Sequence, residues 1–159
     1  EFSQVVQQVA DDEGIEVSAQ QIWNLFQKTY VATKDAHYSA KNYRLHDENG
    51  KQVIELDIEV NGQTQQIRGE GNGPISAILN ALQLPIDVLN YEERSISAGA
   101  DAKALALVEL QVQGTGKSAF GAGVHDNIVT SSIEAIIACT NRLIEQGVLS
   151  TDQVIAAAV

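Results

Sequence analysis

Two glycine-rich segments carry the residue types best suited to ligand chemistry in this chain. The first, Gly71-Asn72-Gly73-Pro74, runs directly into Ile75, Ile78, Leu79 and Leu82 at helical spacing. Glycines let a ligand approach the backbone, and a helix start offers unpaired N–H groups and the positive end of a dipole to a carboxylate or phosphate. The same residues also suit a plain strand-to-helix turn in which Asn72 caps the helix and the glycines only bend. The spacing lacks the terminal Gly-Lys-Ser/Thr of a Walker loop and does not sit in a βαβ dinucleotide unit. The second segment, Gly121-Ala122-Gly123 with Asp126-Asn127 before the last helical run, admits the same two readings, with Asp126 as the expected helix cap. Between them, Tyr91-Glu92-Glu93-Arg94 leads into a stretch of small residues from Ser95 to Ala102, which forms either a surface hairpin or the wall of a small apolar pocket.

Catalytic constellations are thin. His37, His46 and His125 lie far apart with no second ligand at metal spacing, so no metal site is expected. Glu92 and Glu93 fall on opposite faces of a strand and cannot act as an acid/base pair on one bond. There is no Gly-x-Ser-x-Gly elbow, and Cys139 falls mid-helix among Ile136, Ile137 and Leu143, where it reads as a small buried hydrophobe. No catalytic residue is assigned.

The elements that position these segments follow from periodicity. Ile54, Leu56, Ile58 and Val60 alternate with Glu55, Asp57 and Glu59, the pattern of a half-buried strand. Asn49-Gly50 and Asn61-Gly62 flank it, and both favour two-residue hairpin turns. Antiparallel strands are therefore expected near 39–47, 51–60 and 63–69, then a helix with Pro74 in its first turn. The order repeats: a strand near 87–97, a strand over 102–112 with Ala104, Ala106, Val108, Leu110 and Val112 on one face, a Gln113-Gly114-Thr115-Gly116 turn, and a strand from about Lys117. A long helix follows, with Val129, Ile133, Ile136, Ile137, Thr140, Leu143 and Ile144 on one side and Glu134, Asn141 and Glu145 on the other. The fold class is α+β: two pseudo-symmetric β-β-β-α units, antiparallel strands backed by helices. Helices at 2–13 and 18–32 precede them, the second opened by the capping-box pair Ser18 and Gln21. Two short helices cannot bury both of their apolar stripes against each other, so part of that surface is expected to seek another partner.

Composition excludes several classes. Hydrophobic residues at 44% and charged ones at 19% describe an ordinary globular chain and argue against disorder. The net charge of -11, with Lys and Arg scattered, repels polyphosphate, so nucleic acid and anionic membrane are poor partners. Apolar runs such as Ala135 to Ala138 fall far short of the ~20 residues of a membrane span, and a cytoplasmic protein is expected. The single cysteine forms no internal disulfide. Without any Met, the 159 residues read as a piece of a longer protein.

Three ordered runs, GEGNGPISAILNAL, YEERSISAGADAKALALVEL and FGAGVHDNIVTSSIEAIIACTNRL, resemble the C-terminal regulatory domain of the 2-isopropylmalate synthase family. The likeness covers about residues 35–147. It implies a division into the end of a helical linker subdomain (1–34), a regulatory domain (35–147, with units near 38–84 and 87–146) and a tail (148–159). It further implies a homodimer that binds L-leucine as feedback inhibitor and belongs to the same chain as a catalytic barrel, which condenses acetyl-CoA with 2-oxoisovalerate using a divalent metal. This piece carries neither that barrel nor a cofactor and is expected to be inactive alone. By motif, the resemblance places Gly71, Asn72, Gly73, Pro74, Ile75 and Ser76 at the effector site, with Val88, Tyr91 and Ser95 as the opposite wall. Ala102 and Ala104 become its floor, and Asn127 and Ile128 contribute from the second helix start. Asp101 or Asp126 is a candidate partner for the ligand ammonium. An isoleucine-sensing domain of a citramalate synthase and a ligand-free dimerisation module are the alternatives.

Overall fold

The computed structural model describes residues 19–31, 37–95 and 103–150. Helix α1 (Ala19–Phe26) continues into a π-helical turn (Gln27–Val31). Strands β1 (Tyr38–Glu48), β2 (Lys51–Val60) and β3 (Gln63–Gly71) then form an antiparallel sheet in that order, followed by helix α2 (Pro74–Leu82). The pattern repeats in β4 (Ile86–Ser95), β5 (Ala104–Val112), β6 (Ser118–His125) and α3 (Ile128–Glu145). The duplicated α+β architecture expected from periodicity is what the chain forms. The expected helix over 2–13 and the cap at Ser18 lie outside the described residues.

Local chemistry accounts for the hairpins. Asn49 and Gly50 have φ of 53° and 82°, and Asn61 and Gly62 have 49° and 85°, the double left-handed conformation that matches the twist of the strands it joins. Each sheet keeps its alternation. Ile54, Leu56, Ile58 and Val60 in β2, and Ala106, Val108, Leu110 and Val112 in β5, join residues of both helices in one buried cluster. The first strand of each sheet carries a register shift, at Ala40/Asn42 in β1 and at Val88/Asn90 in β4. Lys41 and Leu89 are therefore the extra residues of two equivalent bulges, each just before a tyrosine, Tyr43 and Tyr91.

The paired glycines in the third strands let each helix lie on strand backbone. Gly69 and Gly71 share one face of β3, and a Cβ on Gly69 would strike Ala77 O and Ala81 N of α2. Gly121 and Gly123 do the same beneath α3, where a Cβ would strike Ala135 O and Ser131 O respectively. Cys139 is fully buried over Gly121, as expected for a small hydrophobe, and its Sγ lies 3.1 Å from Ala119 O.

Helix α3 departs from the one-sided pattern read in the sequence. Asn141, expected on its wet side, is fully buried: its Nδ2 donates to Tyr38 O (3.0 Å) and its Oδ1 accepts from Tyr38 N (2.9 Å), so the amide acts as a peptide partner for β1. Ser131, Ser132 and Thr140 are buried too, with hydroxyls donating to Ile128 O and Ile136 O of their own helix. Small polar side chains satisfied in this way can be buried, so α3 packs on β5 and β6 while also meeting β1 and α2. Leu149, beyond the helix, is in the main core.

The stripe of α1 and the turn after it has found its partner on the outer face of the second sheet. Tyr30 is buried with Leu105 and Ala122, flanked by Phe26, Val31, Leu107 and Val124. Arg142 from α3 places its guanidinium 4.7 Å above the Tyr30 ring and donates to Phe120 O of the edge strand β6 (2.6 Å). The outer face of the first sheet is instead polar, with ion pairs Lys41–Glu59 (3.3 Å) and Arg68–Glu48 (3.0 Å). Among the described residues no helix is long and apolar enough to cross a membrane.

Candidate functional site

The start of α2 is open. Its N-cap is Gly73, in extended backbone (φ -156°, ψ 178°), and no side chain accepts from the first-turn amides. Asn72, the cap in the turn-only reading, does not fill that role; Gly73 has replaced it, and only the Ala77 N–H returns to Gly73 O (3.0 Å). Pro74 has no N–H to satisfy, which leaves the amides of Ile75 and Ser76 without an intrahelical acceptor. The position a Cβ would take on Gly73 has nothing within 4 Å.

This helix start opens into a groove of about 840 Å³ between α2 and the first residues of β4. Ile75, Leu79, Leu84, Ile86 and Val88 supply apolar surface, and Asn72, Ser76, Asn80, Gln83, Asp87 and Gln113 supply polar groups. Gln113 Nε2 donates to Asp87 Oδ1 (3.0 Å), and Asn80 donates to Glu70 O (2.6 Å), so three of the polar side chains are held in place. A carboxylate on open amides beside a branched apolar wall and a fixed aspartate is what such a groove can accommodate.

The start of α3 is closed. Asn127 Oδ1 accepts from Val129 N (2.8 Å) and Thr130 N (3.1 Å). Asp126, expected to cap, does not: the cap is Asn127, because the chain enters the helix one residue later and the Asn127 side chain is the one that meets the second and third amides. His125 Nδ1 accepts from Asn127 N (3.0 Å), which fixes the cap further. Tyr43 from β1 shares a hydrogen bond with Thr130 Oγ1 (3.0 Å), and Tyr91 from β4 one with Ser132 Oγ (2.5 Å) and another with Glu93. Burial, then the Glu93 hydrogen bond, pushes the Tyr91 phenol up to about 12, so it stays a neutral donor.

Within one chain the sequence-derived residues divide between two hollows. Asn72, Gly73, Pro74, Ile75, Ser76 and Val88 line the groove beside α2. Ser95, Ala104 and Ile128 line a second hollow of about 340 Å³ with Glu93, Arg94, Lys103 and Asp126. Gly71 faces α2, where a Cβ would meet Ser76, and does not line the groove. Tyr91 turns towards α3 and Asn127 is occupied as cap. Ala102 and Asp101 lie outside the described residues. Leu79 and Gln83 were missed although they follow Ile75 at successive four-residue steps, a spacing that places them on one helix face. Asp87 and Gln113 had no such signal, since the β4–β5 pairing brings them together. Among the described residues no three His, Cys, Asp or Glu side chains are grouped to hold a metal ion.

The model of the LeuA allosteric (dimerisation) domain matches residues 16–144. The 2-isopropylmalate synthase of Paraburkholderia phytofirmans is 41% identical over 143 residues, 89% of this chain and 25% of that protein. That of Azoarcus sp. (strain BH72) is 42% identical over 146 residues, 92% and 25% respectively. That of Pseudomonas putida (strain GB-1) is 40% identical over 147 residues, 92% and 26%. The chain thus spans about a quarter of the length of the curated relatives it matches.

Proposed function

The chain belongs to the LeuA allosteric (dimerisation) domain family, and from that premise we propose that it is the L-leucine-sensing domain of a 2-isopropylmalate synthase. The observation that carries this reading is the uncapped start of α2 beside an apolar-walled groove. The leucine carboxylate sits on the amides of Ile75 and Ser76, where helix-terminal donors favour an anion. Its isobutyl group lies against Ile75, Leu79 and Val88, a burial contributing about 2 kcal/mol. Asp87, rather than Asp101 or Asp126, is the groove's carboxylate and receives the ammonium. A second copy closes the open side, bringing the residues around Ser95, Ala104 and Ile128 towards the ligand in a cytoplasmic homodimer.

The parent enzyme condenses acetyl-CoA with 2-oxoisovalerate in a barrel on the same chain, and leucine inhibits it by favouring one arrangement of the regulatory dimer and linker over another. Equal affinity for both arrangements would shift nothing. The docking of α1 and the turn after it on the second sheet supports a mechanical role for that linker.

Calorimetric titration of the 159 residues with leucine, isoleucine, valine and lysine tests the reading. Saturable heat is expected with leucine, and more weakly with isoleucine and valine, since one methylene of shape difference is worth only ~1–3 kcal/mol. Saturation with isoleucine in preference to leucine would assign the chain to citramalate-type sensing, and no saturable heat with any of the four would leave a dimerisation module.

A further inference from the structure

Three Asn-Gly dipeptides occur in the chain, at Asn49-Gly50, Asn61-Gly62 and Asn72-Gly73. This pair of residues has a chemistry of its own: the glycine amide nitrogen, uncrowded by a side chain, can attack the asparagine Cγ and close a five-membered ring. All three asparagines are exposed, so access to water does not separate them.

Backbone constraint does separate them. Ring closure requires the asparagine ψ to turn until the next peptide nitrogen faces its own Cγ. Asn49 and Asn61 are held at φ of 53° and 49° inside two-residue turns clamped by the ladder pairs Glu48–Lys51 and Val60–Gln63. Asn61 is tied further, its N–H donating to His37 O (2.9 Å) and its Oδ1 lying 3.2 Å from His37 Nδ1. Asn72 and Gly73 instead link the last ladder pair, Gln52–Gly71, to Pro74 at the start of α2. The Asn72 side chain makes no hydrogen bond among the described residues, and neither does the Gly73 N–H. Nothing lies within 4 Å of the place a Gly73 Cβ would take, so the ring has room to form. Turning this peptide breaks no bond of the ladder, and Gly73 can take up the compensating φ.

We propose that Asn72 is a site of spontaneous deamidation, and that the modification places a carboxylate beside the open start of α2. The Gly73 nitrogen gives its proton to hydroxide and its electron pair forms the bond to Asn72 Cγ. The bond from Cγ to the side-chain nitrogen breaks, and that nitrogen takes a proton from water and leaves as ammonia. Water then opens the succinimide at either carbonyl, giving aspartate or isoaspartate and returning a proton to the Gly73 nitrogen. The net change consumes water, releases ammonia and involves no oxidation or reduction. Asn72 lines the groove, so the new negative charge stands at its rim. The modification stands without the leucine reading, and its consequence for the groove rests on that reading: the added charge opposes a ligand carboxylate at the neighbouring amides.

The test is peptide mapping by mass spectrometry of the 159-residue protein held in warm, mildly alkaline buffer, with isoaspartate resolved from aspartate. Conversion at Asn72 is expected at least fivefold faster than at Asn49 or Asn61. Gly73→Ala, whose methyl meets nothing in the fold but crowds the attacking nitrogen, should slow it at least fivefold. In urea the three sites should converge to within about twofold, since each is then the same dipeptide in a free chain. Conversion at Asn72 no faster than at the two turns, an order that survives in urea, or a rate indifferent to Gly73→Ala would overturn the proposal. Asn72→Asp should weaken the calorimetric response to leucine several-fold, and an unchanged affinity would overturn the effect on the groove. Failure of the unmodified protein to bind leucine would remove the leucine reading and leave the modification standing.

Discussion

The two halves of the molecule share a strand bulge, a tyrosine after it and a pair of glycines under the helix, yet their helix starts are opposites. At α2 the cap is a bare glycine and the amides are open; at α3 an asparagine side chain occupies two of them. The shared features all serve packing, whereas the difference falls where a ligand carboxylate would sit. Duplication has kept the scaffold twice and left one of the two helix starts without a side-chain cap.

Substituting glycines that have different jobs should separate the two halves most strongly. Gly123→Ala places a methyl against Ser131 O and Ala135 N, both backbone atoms, and should cost about 3 kcal/mol, the upper part of the overpacking range. Gly73→Ala has open space around it and extended backbone, so urea unfolding should show a change of less than about 1 kcal/mol. Equal losses would remove the distinction between packing glycines and an open cap.

Exchanging the caps has a smaller effect on stability. Asn127→Ala should cost about 1 kcal/mol by freeing two amides, measured by denaturant midpoint. Gly73→Asp should gain a few tenths of a kcal/mol by capping α2 while abolishing the calorimetric signal of leucine, because the new carboxylate occupies the same donors.

The smallest effect is in pH dependence. With its pKa raised in the fold above the ordinary 4.5, Glu134 holds its proton to higher pH folded than unfolded. Folding takes up protons in that window, so its contribution is fully present below the ordinary value and declines as pH rises through the folded value. Glu134→Gln should therefore match the parent in melting temperature at pH 3.5 and exceed it at pH 7. A difference that grows on acidification would contradict this placement of the side chain.

Strong local signals explain what could be read in advance. The Asn-Gly turns demand positive φ, alternation in β2 demands one buried face, and Pro74 demands a helix start, each a constraint satisfied within a few residues. Asn141 could not be read the same way: a polar residue opposite an apolar stripe looks wet until β1, 103 residues away, offers it a backbone to bond. The burial of Leu105 was likewise hidden, since the second face of β5 is covered only by Tyr30 and its neighbours, far away in the chain.

In the candidate site, the glycine joint, the helix behind it and the first turn of lining residues follow from local sequence, because these are consecutive in the chain. Tertiary structure alone decided that Gly73 and Asn127, not Asn72 and Asp126, are the caps. It also decided that Asp87 and Gln113 border the groove and that the motif residues divide between two hollows in one chain. Covalent neighbours obey local geometry, but which side chain meets a free amide or carbonyl depends on where the sheet and the opposite unit bring it.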